Sequence, residues 1–290
     1  MSKTKTLVTV AIGDGFRQGW ERDYLPSWRA YAERHGYGIV VIDTHIDSSP
    51  RGLARPPHWQ KLLVMEDARV AGYDQVVWLD CDVLISPEAP CIVSRHDSDK
   101  LGIISYRDAN ESSAASHDNR LLRFFRFSQW WQGRVPTTPE IYVKAGLPAD
   151  VDDWTNTGVM VMTPRRHAGL FRHVYDDYDG SPFSYQENIP LSYEIFKSGD
   201  YKILDKRFNC DLMYELLEHY PFTLLPEAHS GRDQRLLALC INTVVSNNWF
   251  VHFVSGAGPM RGSHALVLPD GDFLDRCRVL LSSSPPALGP

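Results

Sequence analysis

Two aspartates two positions apart, Asp80 and Asp82, stand between the apolar runs Val76-Val77-Trp78-Leu79 and Val83-Leu84-Ile85. The run from Gln75 to Leu79 is short and β-branched, which reads as a buried strand. Residues two apart on a strand share a face, so both carboxylates aim at one point where the strand ends. In open α/β sheets ligands bind at that edge. Two bare carboxylates so close repel, and one takes up a proton unless a cation lies between them. A divalent cation removes the conflict and leaves room for a phosphate-bearing ligand. The plainer alternative for this pair alone is two solvated acids in a turn.

Four other segments offer matching chemistry. In Trp59-Gln60-Lys61, Lys61 could reach a phosphate as a point charge, or be a solvated helix lysine. In Asn156-Thr157-Gly158, an amide side chain and a close backbone approach precede an apolar strand, although a simple turn has the same composition. Tyr185-Gln186-Glu187-Asn188 opens a helix, and Gln186 and Glu187 could face a sugar ring. Helix N-termini also favour acids and amides for their own reasons. In Phe250-Val251-His252-Phe253, a single histidine emerges from an apolar strand. Alone it is an ordinary core residue; beside two aspartates it is a third metal ligand of a kind that suits Mn²⁺.

The elements that must position these groups alternate. Strands are expected at Leu7 to Ile12, Ile39 to Ile42, the Asp-x-Asp segment, Leu101 to Ser105, Thr157 to Met162, Tyr201 to Leu204 and Trp249 to Val254. Helices are expected at Trp20 to His35, stopped by Gly36, at His58 to Ala71, and at Gln186 to Phe196. Ser49 to Pro57 reads as a loop. Alternation of strand and helix calls for an α/β fold whose sheet is covered by helices. The polar stretch 108–119 is long enough to be a lid. The aromatic and basic stretch 120–131 reads first as a helix packed on the core, with acceptor stacking or peripheral membrane contact as the other options.

Together these segments resemble the nucleotide-sugar transferases of the GT-A fold. They are similar to retaining galactosyl- and glucosyltransferases, including glycogenin-like and bacterial lipopolysaccharide enzymes, and to α-galactosyl and α-xylosyl transferases. The matching pieces are His35-Gly36-Tyr37, Trp59-x-Lys61, Trp78-Leu79-Asp80-x-Asp82, Asn156-x-Gly158-Val159, Gln186, Arg207-Phe208-Asn209 and His252-Phe253-x-x-Gly256. The resemblance, which covers Thr9 through about Gly256, implies a GT-A domain, taken as a single domain over 1–281, built on a central mixed, mostly parallel sheet; the Ser/Pro composition of 282–290 marks a disordered tail. It implies that Asp80, Asp82 and His252 hold Mn²⁺ or Mg²⁺ on a diphosphate, with Asp80 also touching the donor. Thr9, Ala11 and Ile12 would meet the uracil nucleotide. Asn156, Gly158, Gln186 and Gly256 would surround the donor, and Lys61 its phosphates.

Two departures stand out. Relatives carry an aspartate where this chain has Tyr185, so the carboxylate nearest the sugar passes to Glu187, Asp152 or Asp153. A Lys-Pro-Trp expected after the His-Phe pair is absent, and Arg261 takes over its place at the phosphate. The implied partners are a nucleotide-sugar donor and a saccharide or glycoconjugate acceptor.

Composition sets limits. The chain has 290 residues and a net charge of −6, which gives no support for nucleic acid as a partner. Five scattered cysteines without metal spacing suit reduced thiols in a cytoplasm. Two rival functions share the main motif. A haloacid-dehalogenase-like phosphohydrolase would use Asp80 as nucleophile, and Gly271-Asp272-Phe273-Leu274-Asp275 imitates its late acidic motif. Against it, Leu84 stands where a small Thr or Val is expected, and two strands precede the motif. A nucleotide-sugar-binding protein without turnover is the other.

Overall fold

The computed structural model describes residues 4–105, 137–179, 187–224 and 233–254. Six strands form the main sheet: β1 Lys5–Val10, β2 Gly38–Ile42, β3 Gln75–Leu79, β5 Leu101–Ile103, β6 Val159–Met162 and β7 Tyr201–Ile203. Their spatial order is β2-β1-β3-β6-β5-β7. β1 runs parallel to β2 and β3, and β5 parallel to β7, whereas β6 is antiparallel to both β3 and β5. The sheet is therefore mixed and mostly parallel, as expected. A second sheet holds β4 Val83–Ile85, β8 Cys210–Asp211 and β9 Phe250–His252 in the order β4-β9-β8.

Both faces of the main sheet are dry, and the period of two in its strands distributes their side chains. Val77 and Leu79 of β3, with Val159 and Val161 of β6, join the core under α1 (Asp14–Asp23) and α2 (Leu25–His35). Val76 and Trp78, with Met160 and Met162, join the core on the other face. That second core is closed by a 3-10 helix (Pro57–Glu66) and two later helices, α6 (Pro164–Asp177) and α7 (Asn188–Ser198).

Several expected boundaries move, each for a physical reason. The helix expected from Trp20 to His35 is two helices meeting at Tyr24. Pro26 sits in the first turn of α2, where its missing N–H costs nothing, but it would clash inside one continuous helix. The helix expected from His58 to Ala71 is the 3-10 helix, preceded by Pro56, with every side chain from Trp59 to Met65 buried. An α-helix with one dry stripe would expose some of them. The Ser49 to Pro57 loop contains one helical turn, α3 (Pro50–Ala54), capped by the Ser49 hydroxyl accepting from Gly52 N at 3.2 Å. The late strand is shorter than Trp249 to Val254 and belongs to the second sheet. The stretches 108–119 and 120–131 and the tail 282–290 lie outside the described residues.

Candidate functional site

β3 ends at Leu79, and the chain turns through Asp80, Cys81 and Asp82 into β4, leaving one sheet for the other. The turn is pinned at both ends: Asp80 N donates to Gly158 O at 2.8 Å, and Phe253 N donates to Asp82 O at 2.9 Å. Trp28 Nε1 donates to Val83 O at 2.7 Å and anchors the start of β4. Since β4 pairs antiparallel with β9, Val83 lies opposite His252. The sheet register, not proximity in sequence, thus brings the histidine to the aspartates. His252 Nε2 lies 3.1 Å from Asp82 Oδ1 and 3.7 Å from Asp80 Oδ2. One ligand atom from each of the three residues falls within 4.8 Å of the other two.

Hard carboxylates with an imidazole suit Mn²⁺ or Mg²⁺. The imidazole is 3 % exposed, and its other nitrogen, Nδ1, is 3.0 Å from Asn209 Oδ1, the supported arrangement typical of a histidine ligand. The three residues therefore fit a divalent cation. Burial alone would lower the pKa of His252, but the carboxylates of Asp82 and Asp80 facing it raise it above its ordinary value.

Asp80 is steadied from the other side. Trp78 Nε1 donates to its Oδ1 at 2.9 Å, and Lys61 Nζ reaches the same oxygen at 3.4 Å. Lys61 is buried; its ammonium lies 2.8 Å from Glu187 Oε1 and 3.3 Å from Thr157 Oγ1. The other Glu187 oxygen is 3.0 Å from His58 Nε2. Burial alone would raise the Glu187 carboxyl, yet Lys61 and His58 outweigh it and hold the pKa down to about 2. Burial opposes charge on Lys61 as well, but Asp80 and Glu187 drive its pKa upward. Part of the repulsion between the two motif aspartates is thus met by a buried lysine from the 3-10 helix.

The Asn-x-Gly segment forms the floor. Asn156 Oδ1 accepts from Gly158 N at 2.9 Å, closing a turn before β6. A Cβ on Gly158 would collide with the His252 ring, so glycine is required there by the histidine itself. Asn188, the first residue of α7, accepts from Thr157 N at 2.8 Å and Thr157 Oγ1 at 2.7 Å, and donates to Thr155 O at 3.2 Å.

The remaining candidates lie as follows. Ala11 and Ile12 follow β1 at the same edge of the sheet, and Ala11 N donates to Ile42 O at 2.9 Å. Thr9 is buried within β1. Asp153 is buried, accepting from the Ser105 hydroxyl and from Trp154 N at 2.8 Å. Gln186, Gly256 and Arg261 lie outside the described residues. Sequence reasoning assigned no role to Phe16, which is 61 % exposed in the first turn of α1, just past the β1 loop. It also assigned none to the side chains of Asn209 and Asn188.

No family model and no curated protein matches the sequence. The fold does match solved structures. One is a glycosyltransferase involved in the glycosylation of the major capsid of the virus PBCV-1, with a TM-score of 0.51 and 14 % identity, over 90 % of this chain and 99 % of the other. Another is the bifunctional glycosyltransferase WbbM, with a TM-score of 0.53 and 12 % identity over 88 % of this chain; the match spans 46 % of WbbM. The chain accordingly has the α/β architecture of GT-A glycosyltransferases, with the Asp80, Asp82 and His252 group at the carboxyl end of β3.

Proposed function

We propose that the protein is a metal-dependent glycosyltransferase that moves a hexose from a UDP-sugar to a saccharide or other hydroxyl acceptor with retention of configuration. The observation that carries this reading is the convergence of Asp80, Asp82 and His252 on one point in a glycosyltransferase fold. Transfer requires a leaving diphosphate that tolerates its new charge. A divalent ion on Asp80, Asp82 and His252 supplies Lewis-acid stabilisation of that charge. Lys61 fixes the direction of Asp80 from below and leaves the opposite oxygen, Oδ2, toward the metal-binding group or the donor. Asn156 and Gly158 floor the sugar site in this reading, and the exposed ring of Phe16, just past the β1 loop, offers a face on which a base could stack. Glu187 has both oxygens in ion pairs, which favours a supporting role under the sugar site. Retention and the choice of UDP rest on the resemblance of the His-Phe-x-x-Gly and Asn-x-Gly pieces.

The phosphohydrolase alternative is disfavoured: Asp80 is held by Trp78, Lys61 and His252, which leaves little freedom for in-line attack. Among the described residues no helix is long and apolar enough to cross a membrane. The cytoplasmic placement we propose rests on the five scattered cysteines, which show no metal spacing in the sequence.

The test is a panel of nucleotide sugars assayed with Mn²⁺, with EDTA and with Asp82→Asn. We expect release of UDP in the wild type, its loss in EDTA, and a fall of at least about 100-fold in the variant, with folding unchanged. Activity that survives EDTA, or near-normal transfer by Asp82→Asn, sinks the reading. A coupling constant for a β-linked product sinks the retaining part alone.

A further inference from the structure

We propose that Asn209 is a positioning residue that sets the tautomer of His252 and so presents Nε2 bare to the metal. The inference rests on the proposed metal site. Asn209 immediately precedes β8, which pairs parallel with β9, so that Cys210 lies opposite Val251 and Asp211 opposite His252. Its amide lies between two groups. Its Nδ2 is 2.9 Å from the Asn156 carbonyl oxygen, and its Oδ1 is 3.0 Å from His252 Nδ1.

A carbonyl oxygen only accepts, so the NH₂ of Asn209 must face Asn156. Its oxygen must then face His252, and that oxygen also only accepts. Nδ1 therefore carries a proton in every state of the ring, and Nε2, the nitrogen that faces Asp82 and Asp80, is the one that gives its proton up and offers a lone pair when a cation binds. Packing holds the ring in this orientation. The space on one side is taken by Gly158, whose lack of a Cβ is what admits the ring. Gly158 is itself tied to Asn156 Oδ1 at 2.9 Å, and its carbonyl to Asp80 N at 2.8 Å. Asn156 and Gly158, Asn209, and His252 thus form one closed relay across both sheets. The floor of the sugar site is coupled to the metal site through an amide whose orientation a carbonyl decides.

Three variants separate this role from simple packing. Asn209→Leu keeps the bulk and removes both hydrogen bonds. Asn209→Asp keeps an acceptor for Nδ1 and removes the donor to Asn156. Free Mn²⁺ is followed by electron paramagnetic resonance during titration in the presence of UDP. We expect Asn209→Leu to bind Mn²⁺ about 10- to 100-fold more weakly, and Asn209→Asp to recover most of that loss. As a control of the same kind, His252→Ala should lose at least as much as Asn209→Leu. Imidazole ¹⁵N shifts, read on histidine-labelled protein with UDP and diamagnetic Mg²⁺, give an independent readout. The wild type should show a protonated Nδ1 at every pH at which Nε2 is bare, and Asn209→Leu a mixture of tautomers. An Nε2–H tautomer in the wild type, or wild-type Mn²⁺ affinity in Asn209→Leu, overturns the proposal. If the wild type binds no Mn²⁺ at all, the metal-dependent reading fails, and the ¹⁵N shifts of the metal-free ring still decide whether Nδ1 is protonated toward Asn209.

Discussion

Lys61 and Glu187 form the kind of pair whose partners are not equivalent once one is removed. Both are buried, and each is held in its charged state by the other. Lys61 has a second anion, Asp80 Oδ1 at 3.4 Å, whereas the other ion-pairing side chain of Glu187 among the described residues is the half-exposed His58 at 3.0 Å. Lys61→Met leaves two carboxylates facing an apolar side chain, and removing one member of a buried pair costs about 3–5 kcal/mol. Glu187→Gln leaves Lys61 with Asp80 and keeps hydrogen-bonding atoms in place, so it should cost less than half as much. Urea midpoints at neutral pH measure both, and an equal or reversed order rejects this account of the pair. The convergence of Asp80 and Asp82 was legible in the sequence, because two acids two positions apart at the end of an apolar strand stay close whether on the strand or in the turn after it. The burial of Lys61 was not: Trp59-x-Lys61 reads equally well as a solvated lysine, and only the packing of the 3-10 helix against β3 decides. Asn209 lay within a recognised Arg-Phe-Asn piece, but a side chain that acts through another residue carries no signature of its own.

At the scale of elements, the alternation of strand and helix gave the layered architecture, while strand direction lay outside what periodicity encodes. The alternating Val-Met pattern of β6 carries no direction, yet its antiparallel course places Gly158 beside Asp80. The second sheet was missed for a similar reason. Val83–Ile85 and Cys210–Asp211 are too short to announce themselves, although they deliver Asp82 and Asn209. Pro26 and Pro164 were usable signals, one marking the break before α2 and the other the first position of α6. The junction of α7 with the Asn-x-Gly segment yields a test at this scale. Asn188 accepts two hydrogen bonds from Thr157 and donates one to Thr155 O, so it fastens the helix to the floor of the site. Asn188→Ala strands buried partners at about 1–3 kcal/mol. It should also loosen Thr157 against Lys61. We expect a lower urea midpoint together with a raised donor KM; a change in the first without the second confines Asn188 to folding.

Over the whole molecule, the site and the acid-sensitive part of the fold lie at opposite ends of the same strands. β6 pairs Val159 with Leu79 at the site and Met162 with Val76 at the far end, where Thr163 leads into α6. There His167 Nδ1 accepts from Thr163 N at 2.9 Å, and the ring is 3 % exposed. Protonating Nδ1 would break that bond and bury a charge. Asp200, whose nearest oxygen lies 4.0 Å from Nε2, and Asp99 favour the charge, while Arg166 and the neighbouring buried His96 oppose it. Burial is the largest influence, and the pKa falls from its ordinary 6.5 to about 4. His96, whose Nε2 lies 2.7 Å from Lys100 O, is shifted the same way by burial. The sign of the consequence follows from which state binds the proton. Above pH 6.5 both folded and unfolded chains hold His167 neutral, and it adds no pH dependence. Between 6.5 and about 4 the unfolded chain takes up a proton that the folded chain refuses, so stability falls with pH. At roughly 1.4 kcal/mol per pH unit the loss reaches about 3 kcal/mol. His167→Gln removes the titrating group and offers an amide oxygen to Thr163 N. Denaturant unfolding across this range should therefore show the wild type losing about 3 kcal/mol more than the variant, with carboxylate effects common to both cancelling in the difference. Parallel curves would mean that His167 is protonated in the folded protein. The Asp80, Asp82 and His252 group should not take part in this difference, because no described contact links it to His167.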